Sequence, residues 1–418
     1  MSRRFEPVAD GFVTGDRSSG RDASDAGPVP RVSVVMAVHD GESFLQEAID
    51  SILHQHYRDL EFIIIDDGSN DRTAAILAGC ADPRVRVLRN ARNLGLAESL
   101  NRGLTEARGE FIARQDADDI SEPDRLGAQV AYLDAHPDVA LLGSAHVEID
   151  AQGRVLAQID ANCHHVTILW AMLFYCPFAH TAVMFRRQRV LDTVGAYDPS
   201  YRYSMDYEYW TRIAARFRVA NLPEFLVRLR IHNRSMTATY GSHTREGHRL
   251  QVQSVAALLP DVAESSGNFE AVHQVLSALM FGPPADQTAA ELLGAVDLML
   301  ELQRAFARER RLTVAERDVH LRELRSHLFN ALVAFARAEP VTAGSGRIVR
   351  RLLARAVRLD PARLRQPRTA ASLAAVLAAH HRIRARKELG SGGTRGGASG
   401  VGTVDRDRGW TGAGGAEP

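Results

Sequence analysis

Lysine is almost absent from this 418-residue chain: Lys387 stands alone, so nearly all of its 51 basic residues are arginine. That is the mark of a GC-rich genome and says little about function. Cysteine is scarce as well, with only Cys80, Cys163 and Cys176. None forms a Cys-x-x-Cys pair, and an odd count does not make a disulfide framework. Reduced, buried thiols in a cytoplasmic protein are expected. There is no net charge, because 51 Asp+Glu balance the basic residues, which argues against a general nucleic-acid coat. No Gly-x-x-x-x-Gly-Lys occurs, so a P-loop NTPase is excluded. Residues 1–30 lack the apolar core of a signal peptide and read as a disordered leader. The stretch 166–185 holds no Asp, Glu, Lys or Arg but is broken by Pro177 and His180, and proline cannot continue a helix without losing a backbone bond. A helix through Tyr175, a turn at Cys176-Pro177 and a buried strand near 181–185 are predicted there. What is present is ordinary globular composition, 45% hydrophobic and 24% charged. The length suits a core domain of about 200–250 residues plus a second unit.

From residue 31 the pattern alternates. Val32 to Val38 is a near-continuous apolar run, as a parallel strand buried on both faces requires. Phe44, Leu45, Ala48, Ile49, Ile52 and Leu53 follow at helical spacing. Residues 61–66 predict a second buried strand, and Asn70 or Asp71 can cap the helix after it. Val85 to Leu88 reads as a third strand, Leu96, Ala97, Leu100 and Leu104 as a third helix, and 111–115 as a fourth strand. This rhythm predicts an α/β fold on a mostly parallel sheet with right-handed crossovers. Such sheets bind ligands at the carboxyl ends of their strands. Further on, 139–149 reads as a strand, Asp150 to Gly153 as a hairpin turn, and Thr313-x-x-Glu316 as a capping box opening a helix.

Three acidic groups fall where strands should end: Asp66-Asp67-Gly68-Ser69, Asp116-Ala117-Asp118-Asp119, and Asp206 in Ser204-Met205-Asp206-Tyr207. One aspartate alone is usually a turn or cap. Two carboxylate pairs at the ends of neighbouring parallel strands point into one crevice. Like charges so close raise each other's pKa unless something positive lies between them. A hard divalent cation held by one or two carboxylates and a substrate phosphate is one answer.

Val32-Ser33-Val34-Val35-Met36, Asp66-Asp67-Gly68-Ser69, Asn93-x-Gly95, Asn101, Gly109-Glu110-Phe111-Ile112 and Asp116-Ala117-Asp118-Asp119 occur in this order. Together they resemble the family 2 glycosyltransferases of the GT-A fold, over residues 30–236. The resemblance implies roles. Asp67 would bond the base of a nucleotide diphosphate sugar, and Asp66 would fix the turn or the ribose. Asp116 would reach the ribose or a metal-bound water. Asp118 would ligate Mn²⁺ or Mg²⁺ across the diphosphate, and Asp206 would be the general base for the acceptor hydroxyl. The implied reaction is one in-line displacement that inverts the anomeric carbon. The family often has Pro-x-Tyr-Asn after the first strand. Here Ala37-Val38-His39-Asp40 stands instead, which places Ala37 and His39 against the base and leaves base selectivity open. The segment 228–235 resembles the family's Tyr-Arg-x-His-x-x-Ser. His232 there either approaches metal or diphosphate, or is a surface-loop histidine. His180 either lines the acceptor cleft or is a satisfied core residue, and Trp210 reads as core.

The implied organisation is a leader over 1–30, a GT-A domain over 31–240, a helical accessory region over 241–388 and a disordered Gly-rich tail over 389–418. Residues 347–388 hold 12 Lys+Arg and 2 Asp+Glu, a net of +10. Ile348, Val349, Leu352, Leu353, Ala356 and Val357 form an apolar stripe among Arg350, Arg351, Arg355 and Arg358. Two readings stand: a basic amphipathic helix on an anionic membrane face, or a solvated arginine face on a packed helix. The expected partners are a nucleotide-sugar donor, a saccharide or lipid-linked acceptor and, on the first reading, the inner face of the membrane. No nucleic acid is expected. The alternative function is a non-catalytic nucleotide-sugar-binding or scaffolding subunit on the same fold. A nucleotidylyltransferase is disfavoured, since no Gly-rich loop with Arg and Lys follows the first strand.

Overall fold

The computed structural model describes residues 29–233, 235, 245–281, 289–338 and 345–390. The leader and the Gly-rich tail fall outside these residues, apart from 29, 30, 389 and 390. The chain forms two units: Met1–Met280 with Ala295–Glu323, and Phe281–Gly294 with Leu324–Pro418.

In the first unit the apolar runs become strands buried on both faces, β1 (Val32–Val38) and β2 (Leu60–Asp66). Helix α1 (Leu45–Leu53) turns Leu45, Ala48, Ile49 and Ile52 into the core. Helix α2 (Thr73–Ala78) starts where Asp71 Oδ1 accepts the Thr73 N–H at 2.9 Å. Then come β3 (Val85–Arg89), α3 (Leu96–Glu106) and β4 (Phe111–Arg114). These four strands are parallel in the order β3-β2-β1-β4. Val38 pairs with Asp66 and Val35 with Arg114. The central strands therefore finish at one edge, and the loops after them share it.

Beyond β4 the sheet is mixed. The next elements are β5 (Ile120–Ser121), α4 (Arg125–Ala135), β6 (Val139–Asp150), β7 (Val155–Ile159), α5 (His165–Ala171), β8 (Met184–Arg186), α6 (Arg187–Val194), α7 (Met205–Ala214) and β9 (Arg218–Ile231). Strand β8 runs antiparallel to β4 and β6, β9 parallel to β6, and β5 antiparallel to β9. The order is β3-β2-β1-β4-β8-β6-β9-β5, with β7 on β6 through the hairpin at Gly153. Strand β9 carries Pro223, which has no N–H for a ladder. Register skips there, from Leu222 opposite Ser144 to Phe225 opposite Ala145. The charge-free stretch ends its helix at Ala171, sooner than its spacing predicts, because i→i+3 bonds from Leu173 and Phe174 tighten the turn. No described helix is long and apolar enough to cross a membrane. The three cysteines are free and half-buried.

Seven more helices are described: α8 (Arg245–Leu258), α9 (Pro260–Ser265), α10 (Phe269–Phe281), α11 (Ala289–Glu309), α12 (Val314–Ala338), α13 (Ser345–Leu359) and α14 (Pro367–Gly390). The capping box is formed: Thr313 Oγ1 accepts the Glu316 N–H at 3.2 Å, and Glu316 Oε2 accepts the Thr313 N–H at 2.9 Å. In the second unit the α13 stripe is already covered. Val349, Leu352, Leu353 and Ala356 are buried, and Arg347, Arg350, Arg351 and Arg358 are exposed.

Gly109 sits at a close approach of two chains. Its N–H donates to Ser33 Oγ at 2.9 Å, and a Cβ there would lie 2.7 Å from Ser33 N. Backbone of a fully buried strand cannot yield cheaply. Gly109→Ala is expected to destabilise the first unit by about 1–3 kcal/mol, read as a lower urea midpoint. An unchanged midpoint would refute the close packing.

Candidate active site

The loops at the carboxyl edge hold the acidic groups. Asp66 fixes the turn after β2: its Oδ1 accepts the Ser69 N–H at 2.9 Å, and its Oδ2 faces Arg89 Nε at 3.3 Å. Asp67 is 3% exposed. Its Oδ1 accepts from Asn90 Nδ2 at 2.7 Å and from the Leu94 N–H at 2.8 Å, and its Oδ2 accepts the Gly95 N–H at 2.9 Å. Most of this carboxylate is thus spent on the loop that opens α3, leaving Oδ2, with one donor, as the oxygen with a lone pair to offer. His39 Nδ1–H donates to the Asp67 carbonyl at 2.9 Å, and its side chain is about one-third exposed. Ala37 is buried in the sheet opposite Ile65. Asn101 exchanges two 2.9 Å bonds with the backbone of Tyr197, so this motif residue pins a distant loop.

The cluster after β4 is built on arginine. Arg114 is 1% exposed and pairs with Asp116. Burial would push the Asp116 carboxyl up, yet the Arg114 charge holds it below the usual carboxylate range. Arg125, fully buried, donates to Gln115 Oε1 at 3.0 Å, Ser121 Oγ at 2.8 Å and the Arg114 carbonyl at 2.7 Å. Burial, then the Arg114 charge, brings its pKa down to about 9. Arg230 on β9 reaches the Asp118 carbonyl at 2.9 Å and Glu47 at 2.5 Å, over the Phe44 ring at 4.6 Å. Its N–H donates to Asp119 Oδ1 at 2.7 Å.

Asp118 differs from its neighbours. Its side chain is one-third exposed, and its Oδ2 lies 3.0 Å from His232 Nε2. Burial and the Asp116 charge raise its pKa. His232 is brought in by β9, because β5 pairs with β9 directly after the acidic turn. Phe44 flanks its ring at 4.9 Å between centroids. Asp118 and His232 therefore offer one oxygen and one nitrogen donor toward the same place. Among the described residues no group of three or more His, Cys, Asp or Glu side chains is placed to hold a metal ion. The pair suits a divalent cation that takes its remaining ligands from a diphosphate and water, not a closed structural site.

Asp206 lies not at the expected strand end but in the first turn of α7, within electrostatic reach of Asp116 and Arg114. Burial, with the Asp116 charge, pushes its pKa up to about 6. Cys176 and Tyr197 feel its charge in turn. His180 is an interior histidine. Its Nε2 accepts from Arg114 Nε–H at 3.1 Å and Tyr197 O–H at 3.2 Å, and burial, with the Arg114 charge, lowers its pKa to about 3. Trp210 is fully buried. The structure thus joins Asp118 to His232 after β4, sets Asp206 within electrostatic reach of Asp116, and keeps Asp66 and Asp67 at the end of β2 beside His39 at the end of β1. Sequence reasoning missed Arg114, Arg125 and Arg230. Two signals were available: Arg230 is the Arg of the Arg-x-His that ends at His232, and Arg125 and Gln129 stand four apart on the buried face of α4.

The model of the family "Glycosyl transferase family 2" matches residues 33–195. An uncharacterized glycosyltransferase of Haemophilus influenzae is 32% identical over 228 residues, 52% of this chain and 70% of its own. The O-antigen biosynthesis glycosyltransferase WbnJ of Escherichia coli is 34% identical over 49% of this chain and 81% of its own. Among solved structures, S. aureus TarS 1-349 in complex with UDP-GlcNAc aligns with 86% of this chain and 92% of its own, at 16% identity and a TM-score of 0.46.

Asp67 sets up a clean test. In Asp67→Asn the new amide N–H₂ faces donors already aimed at the carboxylate. Leaving a buried donor unmatched costs about 1–3 kcal/mol. The urea midpoint is expected to fall accordingly, and equal stability of variant and wild type would refute the loop-organising role.

Proposed function

The chain belongs to glycosyl transferase family 2, and we propose that it moves a sugar from a nucleoside diphosphate sugar to an acceptor hydroxyl with inversion. The observation that carries this is Asp206, a half-buried carboxylate poised near neutral pH and within electrostatic reach of Asp116 in the acidic turn after β4. A general base works best with a pKa near the operating pH. Asp206 takes the proton of the acceptor hydroxyl. That oxygen bonds to the anomeric carbon as the bond to the diphosphate oxygen breaks, and the nucleoside diphosphate leaves with the electron pair. Asp118 and His232 would hold Mn²⁺ or Mg²⁺, which when bound supplies Lewis-acid stabilisation of the charge growing on the leaving group. Arg114 keeps Asp116 ionised beside this place, and His39 with Asp67 frames the base. The likeness to an O-antigen biosynthesis enzyme supports an acceptor in cell-envelope or exopolysaccharide synthesis, saccharide or lipid-linked.

Contact with an anionic membrane face through 347–388 belongs to the same proposal, in altered form. The apolar stripe of α13 is packed inside the second unit, so contact rests on the exposed arginines, worth about 1 kcal/mol each near such a surface. Wild type is expected to co-sediment with phosphatidylglycerol vesicles at low salt. Reversing Arg347, Arg350, Arg351 and Arg358 to Glu should release it, and equal sedimentation of both would remove the membrane from the proposal.

A panel of UDP-, GDP- and dTDP-sugars with Mn²⁺ identifies the donor by thermal shift. Asp206→Asn is then expected to lower kcat by about 10²–10⁴-fold while donor binding persists. In wild type, kcat/KM should fall as pH drops below about 6, where Asp206 takes up a proton. Full activity of the Asn variant would overturn the assignment.

A further inference from the structure

Glu246, on the first turn of α8, reaches the chain immediately ahead of α7 (Met205–Ala214). Its Oε1 accepts the Arg202 N–H at 3.1 Å, and its Oε2 accepts the Tyr203 N–H at 2.8 Å and the Ser204 N–H at 3.1 Å. Three consecutive amides on one carboxylate fix a turn more tightly than any single cap. Burial works against the charge, but these backbone bonds hold the Glu246 pKa below its usual value and favour its ionised form.

The turn leads straight into the residue assigned as base. Helix N-termini attract carboxylates, and the first turn of α7 holds two, Asp206 and Glu208. Glu208 is committed to Arg212, at 2.6 Å. The upstream amides are committed to Glu246. Asp206 accepts the Tyr207 N–H at 2.8 Å and leans on its own backbone N–H, and its charge is left to Asp116 in the turn after β4, to Arg114 on β4 and to Tyr197 and Cys176 nearby. We propose that Glu246 is a positioning residue for Asp206: by occupying the amides of 202–204 it fixes the start of α7 and keeps those donors from turning the base toward its own helix. This rests on Asp206 being the general base. Around Glu246 itself stand Arg249 and Tyr201, neither of which can replace a carboxylate that takes three N–H groups.

The test compares Glu246→Gln, Glu246→Ala and Glu246→Asp with wild type and Asp206→Asn in the full chain. Amide hydrogen exchange and a ¹³C-carboxyl titration of aspartate-labelled protein need no substrate, and Asp206→Asn identifies the Asp206 signal. In the Gln and Ala variants, exchange at Arg202, Tyr203 and Ser204 is expected to speed up at least about ten-fold, with the Asp206 midpoint falling toward the ordinary carboxylate range. The Asp variant restores both in part. With the donor found by thermal shift, kcat falls about 10–100-fold at unchanged donor KM. A general loss of stability lowers the melting temperature without moving the Asp206 midpoint. Wild-type exchange and midpoint in a folded Gln variant overturn the proposal. Full turnover by Asp206→Asn overturns the base assignment instead, and leaves the exchange result standing.

Discussion

Asp116, Asp118 and Asp119 crowd the turn where β4 ends, with Asp206 within electrostatic reach of Asp116, and the surrounding structure is arranged around holding so much like charge in so little water. Carboxylates packed this way repel and resist burial. The protein answers with its own cations, Arg114, Arg125 and Arg230, each almost wholly buried. They divide the cluster by role. Asp116 is held ionised by Arg114. Asp119 is burned into the frame, pushed well above the usual range by burial and then by Asp118, and fastened to the Arg230 N–H. Asp118 keeps an outward oxygen, with His232 as its side-chain neighbour. Asp206 stays basic because burial, with the Asp116 charge, outweighs its backbone N–H bonds.

The sheet makes this division possible. Its parallel half ends β1, β2 and β4 at a common edge, the usual place for a nucleotide. Its mixed half bends β9 past Pro223 and returns its last residues to that edge beside the short strand β5. One strand thereby delivers Arg230 to lock the acidic turn from behind and His232 to meet it from the front. A purely parallel sheet would bring neither.

The local elements were legible because their signals are local. The apolar run of β1, the helical spacing of α1, the capping box at Thr313 and the hairpin at Gly153 each depend on a few neighbouring residues. The acidic groups after β2 and β4 were legible as strand-end residues for the same reason. The compensating arginines were not. An arginine beside an aspartate looks like surface in one sequence and like the floor of a site in another, and only burial separates the two. Asp67 teaches the same lesson from the other side: its place in a motif suggested a ligand contact, and its hydrogen bonds turn it largely toward Asn90, Leu94 and Gly95. The α13 stripe reads as amphipathic whether it faces lipid or protein, and packing against its own unit decided it.

The sequence by itself determined the α/β class, the strand ends that carry carboxylates, the family and the identity of the candidate base, since periodicity and ordered motifs survive in one dimension. Tertiary structure alone decided which carboxylates stay ionised, which one faces outward beside a histidine, and that Glu246 holds the turn before Asp206. Those depend on charges and amides meeting across chain separations of tens to more than a hundred residues, in an interior where dielectric and hydrogen bonding, not residue type, set how each group behaves.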